Sequence, residues 1–164
     1  MNLITTDYGD IQYSNEDLIL FTDGIFGFPE LTEYLLICLD EQDSSLLILQ
    51  SVQKPEISFA VLNPLFLCPD YSPALTPEEL ASLEVSDGGD LSYYVICVIK
   101  QDFKESTVNL KAPLAINPQT LRGMQVILEG SQYGFRQKMD DFLPDSDHSE
   151  NRSDTDADTE TEKR

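Results

Sequence analysis

Ten short segments rich in β-branched and aromatic residues, separated by turn-forming Gly, Pro, Asn, Asp and Ser, fill the first 128 residues. Segments of that length and composition point to an all-β domain. They read as strands near Asn2–Thr6, Asp10–Tyr13, Leu18–Phe21, Tyr34–Asp40, Leu46–Ser51, Ser58–Leu62, Ser92–Lys100, Thr107–Leu110, Leu114–Asn117 and Gly123–Leu128. The run Leu35-Leu36-Ile37-Cys38-Leu39 is apolar at every position, so that strand needs cover on both faces, as in a compact barrel or a sheet under a lid. The expected fold is a compact, barrel-like, antiparallel all-β domain with one or two short helices.

One helix start is written plainly in Leu75-Thr76-Pro77-Glu78-Glu79-Leu80. Thr76 can cap, Pro77 suits the first helical position, and Glu79 can reach back to complete a capping box. Leu75 and Leu80 are placed to staple across the cap. The helix should be short, because Ser86-Asp87-Gly88-Gly89-Asp90 breaks it before the next strand.

After Phe142-Leu143-Pro144 the composition turns to Asp, Ser, Thr and Glu with little to bury, so ordering that stretch has no compensating contact. A domain over residues 1–139 followed by an acidic, disordered tail over 140–164 is the expected organisation.

Thirty Asp and Glu stand against ten Lys and Arg, a formal charge of −20. The tail holds ten of the acids and three of the bases, which leaves twenty acids and seven bases on residues 1–139. The folded body is therefore acidic in its own right, and direct binding of RNA or DNA is disfavoured because the phosphates would be repelled. The first residues show no cationic stretch leading into a long apolar run, so no secretory signal is read. The apolar runs Tyr34–Leu39 and Tyr93–Ile99 fall far short of the ~20 residues of a membrane span, and a cytoplasmic, non-membrane protein is expected. Cys38, Cys68 and Cys97 sit in apolar strings, the setting of buried small hydrophobes and not of disulfides.

Catalytic signatures are missing. The lone histidine, His148, lies in the tail, which removes a His-based triad, and no nucleophile elbow, Walker loop or Gly-x-Gly-x-x-Gly fingerprint occurs. Adjacent acids at Glu16-Asp17, Glu78-Glu79 and Asp140-Asp141 keep a carboxylate-pair hydrolase as a remote alternative. No metal or other cofactor is expected: the cysteines lack zinc spacing, and Asp154-Thr155-Asp156-Ala157-Asp158 opens like a calcium loop but has Thr159 where glycine is needed.

Four stretches then acquire meaning together. They are Phe21-Thr22-Asp23-Gly24-Ile25-Phe26-Gly27-Phe28; Leu49-Gln50-Ser51-Val52; Phe59-Ala60-Val61-Leu62-Asn63-Pro64 with Pro69-Asp70-Tyr71; and Thr107-Val108-Asn109-Leu110-Lys111-Ala112-Pro113-Leu114 with Gly123-Met124-Gln125-Val126-Ile127. In this order and spacing the chain resembles the FliW family of bacterial flagellar assembly factors, over roughly residues 2–135. The Thr-Val-Asn-Leu-Lys-Ala-Pro block is the most specific part, and Thr22 and Phe26 stand where the family tends to carry proline.

The resemblance implies a β-barrel-like protein that is not an enzyme and binds two proteins: CsrA, an RNA-binding translational repressor, and flagellin. Capture of CsrA would relieve repression of flagellin translation, and flagellin would compete for the same protein. A body of this charge docked beside an RNA-binding surface would also repel phosphates without covering the RNA site. An acidic mimic that occupies the RNA site directly is the alternative within the same chemistry. The free protein is expected to be a monomer.

Candidate partner-binding residues are loop positions that look exposed. Phe26 and Phe28 lie among glycines, where a ring must cap the barrel or face a partner. Phe66, Asp70 and Tyr71 lie in a proline-bounded apolar segment that makes a poor strand. Asn109 and Lys111 alternate with Val108 and Leu110, which would put both on one strand face.

Overall fold

The computed structural model describes residues 1–42 and 45–142. The strands are β1 (Asn2–Ile4), β2 (Asp10–Gln12), β3 (Ile19–Phe21), β4 (Glu33–Cys38), β5 (Leu46–Ser51), β6 (Ser58–Leu62), β7 (Ser92–Val98), β8 (Thr107–Val108), β9 (Leu114–Asn117), β10 (Arg122–Gln125) and β11 (Gln137–Lys138). Each of the ten expected strands is present; β11, a two-residue strand without an apolar signature, was not foreseen. Among the described residues the one α-helix is α1 (Pro77–Ser82), accompanied by five short 3-10 turns.

Strands β3, β4, β5, β6, β7, β9 and β10 close into a seven-stranded barrel, since β10 pairs with β3 and β9 with β7. An odd ring cannot alternate direction all the way round. The mismatch is absorbed by a parallel β3–β10 pair, with every other pairing antiparallel. The β1–β2 hairpin forms a separate two-stranded sheet, tied to the barrel where Thr6 N–H donates to the Pro55 carbonyl.

The period-two alternation of each strand separates two cores. Ile19, Phe21, Tyr34, Leu49, Val61, Leu114 and Ile116 point inward and form the barrel interior. Gly123 lies opposite both Phe21 and Ile116, and a Cβ there would stand 2.8 Å from the Phe21 ring. That strand position is left empty so the ring can fill the barrel.

On the outer face of β6 and β7, Leu62, Val95 and Cys97 are covered by Leu67, Tyr71, Leu110, Val126, Leu128 and Met139. A third cluster places Leu83 of the helical segment over Ala115 of β9. Asn117 fastens that layer: its Nδ2 donates to the Leu83 carbonyl at 2.8 Å and its Oδ1 accepts from Gln119 N–H.

Cover on both faces is met in the first half of β4, where Tyr34 and Leu35 are both buried. It fails at the end of the run: Cys38 and Leu39 are exposed, because that strand end overhangs the barrel rim. The reading of all three cysteines as buried is thereby corrected. Cys68 is half-buried and Cys97 buried, and burial pushes the Cys97 thiol up to about 12.

The helix start is as expected. Thr76 Oγ1 accepts from Glu79 N–H at 3.1 Å and Glu79 Oε1 accepts from Thr76 N–H at 2.8 Å, while Leu75 and Leu80 pack in the same cluster. Among the described residues no helix is long and apolar enough to cross a membrane. His148, the calcium-loop-like stretch and nearly all of the expected tail lie outside the described residues.

Candidate functional site

Residues 107–117 run antiparallel to β7, and the register shifts within them. Val108 faces Cys97, whereas Leu114 faces Tyr94, so three extra residues are looped out. The most specific sequence block is thus a wide bulge, and its residue types follow from what the bulge must satisfy. Asn109 Oδ1 accepts from Ala112 N–H at 3.0 Å and closes the loop. Leu110 and Lys111 N–H both donate to the Gly134 carbonyl, and the Ala112 carbonyl accepts from Gln125 Nε2 at 3.0 Å.

Asn109 and Lys111 therefore do not share a strand face: β8 stops at Val108. Asn109 is half-buried and committed to its turn. Lys111 lays its ammonium 5.7 Å from the centre of the exposed Phe135 ring.

The second candidate pair divides. Between β3 and β4 the chain turns sharply, with Gly24 at φ +70° and Gly27 at φ +92°. At Gly24 a Cβ would meet the Phe28 carbonyl oxygen at 2.5 Å, which makes glycine obligatory. Phe28 packs edge-on against Phe59 at 5.6 Å and caps the barrel interior. Phe26 projects outward, 52% exposed, while its N–H donates to Gln125 Oε1 at 2.9 Å. Gln125 thus joins this turn to the bulge.

The third candidate segment also divides. Pro64–Phe66 is a 3-10 turn capped by Asn63 Oδ1, and Leu65 and Phe66 are 51% and 61% exposed. Asp70 is exposed as well. Tyr71 is not: it is buried against the outer layer, its hydroxyl donates to the Leu110 carbonyl at 2.6 Å, and its ring lies 4.7 Å from Tyr133. Burial raises its hydroxyl pKa, with Tyr133 adding to the effect. Its placement among exposed residues is corrected: an aromatic two residues beyond a proline looks like a loop side chain, but here it fastens the loop to the bulge.

Beside this segment lies a groove of about 660 Å³ between the Pro64–Phe66 turn, α1 and the start of β7. Leu65, Leu75, Leu80 and Leu91 give it apolar walls. Tyr93, whose hydroxyl donates to the Gly88 carbonyl at 2.8 Å, closes one side. Burial and then the Asp87 carboxylate raise the Tyr93 pKa. Sequence reasoning missed these residues, because each looks like ordinary core or turn. One signal was present: the strand read at Ser92–Lys100 is longer than its neighbour at Ser58–Leu62, so one must overhang the other.

Charge is distributed unevenly over the body. Residues 1–99 contain seventeen acids and one base, Lys54, while residues 100–139 contain three acids and six bases. The groove belongs to the acidic part: Asp87 lines it, and the chain that supplies its walls, residues 63–94, also carries Asp70, Glu78, Glu79, Glu84 and Asp90 with no base between Lys54 and Lys100. Among the described residues no group of three or more His, Cys, Asp or Glu could hold a metal ion.

A family model described as "FliW protein" matches residues 2–139. The chain belongs to the FliW family. It is 41% identical over 133 residues to the "Flagellar assembly factor FliW" of Caldanaerobacter subterraneus subsp. tengcongensis, covering 81% of this chain and 89% of that one. The protein of the same name from Shouchella clausii is 37% identical over 136 residues, covering 83% and 92%. A crystal structure of the flagellar assembly factor FliW superposes with a TM-score of 0.78 at 32% identity, covering 85% of this chain and 96% of that chain. The FliW match ends at residue 139, beside the turn Met139–Phe142 that seats Met139 in the outer core.

Proposed function

We propose that this protein is a cytoplasmic flagellar assembly factor that acts by binding protein partners and not by catalysis, capturing the RNA-binding regulator CsrA and, in competition, flagellin. The observation that carries this reading is membership, over residues 2–139, in a family whose named relatives are flagellar assembly factors. The architecture supports a surface function. The barrel interior is filled by side chains and capped by Phe28 and Leu121, which leaves the loops and the outer layer for recognition. Acids that could have formed a catalytic pair are used locally, as Glu79 is in the α1 cap and Asp17 in accepting from Ser14 N–H at 2.8 Å. The raised Cys97 thiol is an inert core group.

The charge gives the antagonism a physical component. With seventeen acids and one base over its first 99 residues, the body carries a negative potential that falls off over a Debye length, about 8 Å at physiological salt. A CsrA dimer held beside it would bind RNA less well even with its RNA site uncovered. The test is co-elution of the purified protein with CsrA and with flagellin, followed by CsrA–RNA binding at saturating protein from low to high salt. Complexes with both partners and inhibition that weakens with salt are expected. Absence of both complexes refutes the function, and salt-independent inhibition refutes the electrostatic component alone.

A further inference from the structure

Among the described residues, the groove contains an unusual element for a closed barrel, a stretch of strand edge with no strand partner. Strand β6 leaves the sheet at Leu62, opposite Val95, whereas β7 begins three residues earlier. Ser92, Tyr93 and Tyr94 pair with Ile116, Ala115 and Leu114 on one side only. Because the Ile96 carbonyl faces the β8 side, accepting from Asn109 N–H, strand alternation turns the Tyr93 N–H and carbonyl to the other edge, which opens into the groove that Ser92, Tyr93 and Tyr94 help to line. Such an edge is a template for an added strand, which proteins ordinarily protect by covering or charging it.

We propose that this groove receives an extended segment of a partner protein, with apolar residues alternating with Lys or Arg, that pairs through its backbone with the free edge of β7. The inference rests on partner binding as the protein's function and specifies the kind of segment bound. An extended chain presents alternate side chains to opposite faces, so one set enters between Leu65, Leu75, Leu80 and Leu91 while the other meets Asp87 and the negative potential of the base-free stretch around it.

Charge selects among occupants. Residues 143–164 of this chain carry eight acids and three bases, and a second copy would bring the same negative potential, so both would be repelled. A basic segment is attracted. A helix would leave the β7 edge groups unpaired, which favours an extended conformation.

The test uses full-length protein and a fluorescein-labelled Lys-Val-Lys-Val-Lys-Val-Lys peptide, followed by anisotropy. Saturable binding is expected. Methylating the peptide amide nitrogens on the face that would pair with β7 should weaken it roughly tenfold, the equivalent of one or two net hydrogen bonds. Leu65→Arg, at an exposed position that the fold does not need, should weaken it at least as much. Paired Asp87→Asn and Asp90→Asn changes, which keep the Asp87 turn acceptor, should weaken it about threefold at low salt, an effect that screening removes. Absence of saturable binding, or equal binding of the methylated peptide, or equal binding by Leu65→Arg, overturns the proposal. Capture of CsrA and flagellin by the unaltered protein separates this failure from failure of the functional reading. If capture succeeds and the peptide arm fails, the groove is wrong and the function stands; if capture fails with both partners, the function is wrong whatever the peptide does.

Discussion

Two buried tyrosines show how differently the barrel interior and the layer outside it are built. Tyr34 is fully buried among interior side chains, and its hydroxyl has no hydrogen-bond partner among the described residues. Tyr71 is buried in the outer layer, and its hydroxyl donates to the Leu110 carbonyl at 2.6 Å, linking the Pro64–Tyr71 segment to the bulge. The interior is held by shape: alternate apolar side chains, a glycine opposite Phe21, and edge-on rings. The outer layer is held by individual bonds from Asn109, Gln125, Asn117 and Tyr71. Segments that are pinned bond by bond can leave gaps between them, and the groove is such a gap.

The largest expected effect tests the interior. Phe21→Ala, which removes a fully buried ring in contact with Tyr34, should cost about 3 to 5 kcal/mol in urea unfolding. A loss under about 1 kcal/mol would mean that the interior repacks freely and is not held by shape. Alkaline pH comes next and acts on both regions. Burial, with Glu30 adding to it, pushes the Tyr34 hydroxyl up to about 12, and burial pushes the Cys97 thiol to about 12. The unfolded chain releases these protons from about pH 9 to 10, so stability is fully present below that range and is lost as pH rises through it toward 12. Tyr34→Phe should flatten part of that fall, and an unchanged slope would show that Tyr34 does not titrate with folding.

Smaller changes sharpen the contrast. Tyr71→Phe leaves the Leu110 carbonyl without its donor and should cost about 1 to 2 kcal/mol. Thr76→Ala removes the α1 cap and should cost about 1 kcal/mol. Tyr34→Phe at neutral pH deletes an unpaired hydroxyl and should be neutral or stabilising by under about 1 kcal/mol. If Tyr34→Phe costs as much as Tyr71→Phe, the distinction between the two regions is wrong.

The interior was legible in the sequence because alternation reports the faces of a strand directly. Strands β3 to β7, β9 and β10 fall where β-branched and aromatic residues cluster, and the α1 cap is spelled by Thr76, Pro77 and Glu79. The outer layer was less legible. Tyr71 looks like a loop aromatic until the Leu110 carbonyl is known to lie across from it, 39 positions away in the chain. Asn109 reads as the exposed half of an alternation, and only the register shift against β7 shows that it closes a bulge. Of the candidate site residues, Phe26, Phe66 and Asp70 are exposed, Lys111 is half-buried beside Phe135, and Phe28, Asn109 and Tyr71 are engaged in the fold. The free edge at Ser92–Tyr94 carries no residue signature, only the greater length of the strand read there, since it arises where β6 ends.

Backbone hydrogen exchange of the full-length protein, with and without saturating CsrA, tests most directly the claim that a partner is gripped at the outer layer. Protection should grow at the Tyr93 amide and along the Pro64–Phe66 turn and stay unchanged in the Gly24–Phe28 turn that caps the interior. Protection confined to that capping turn, or no change anywhere, would contradict it.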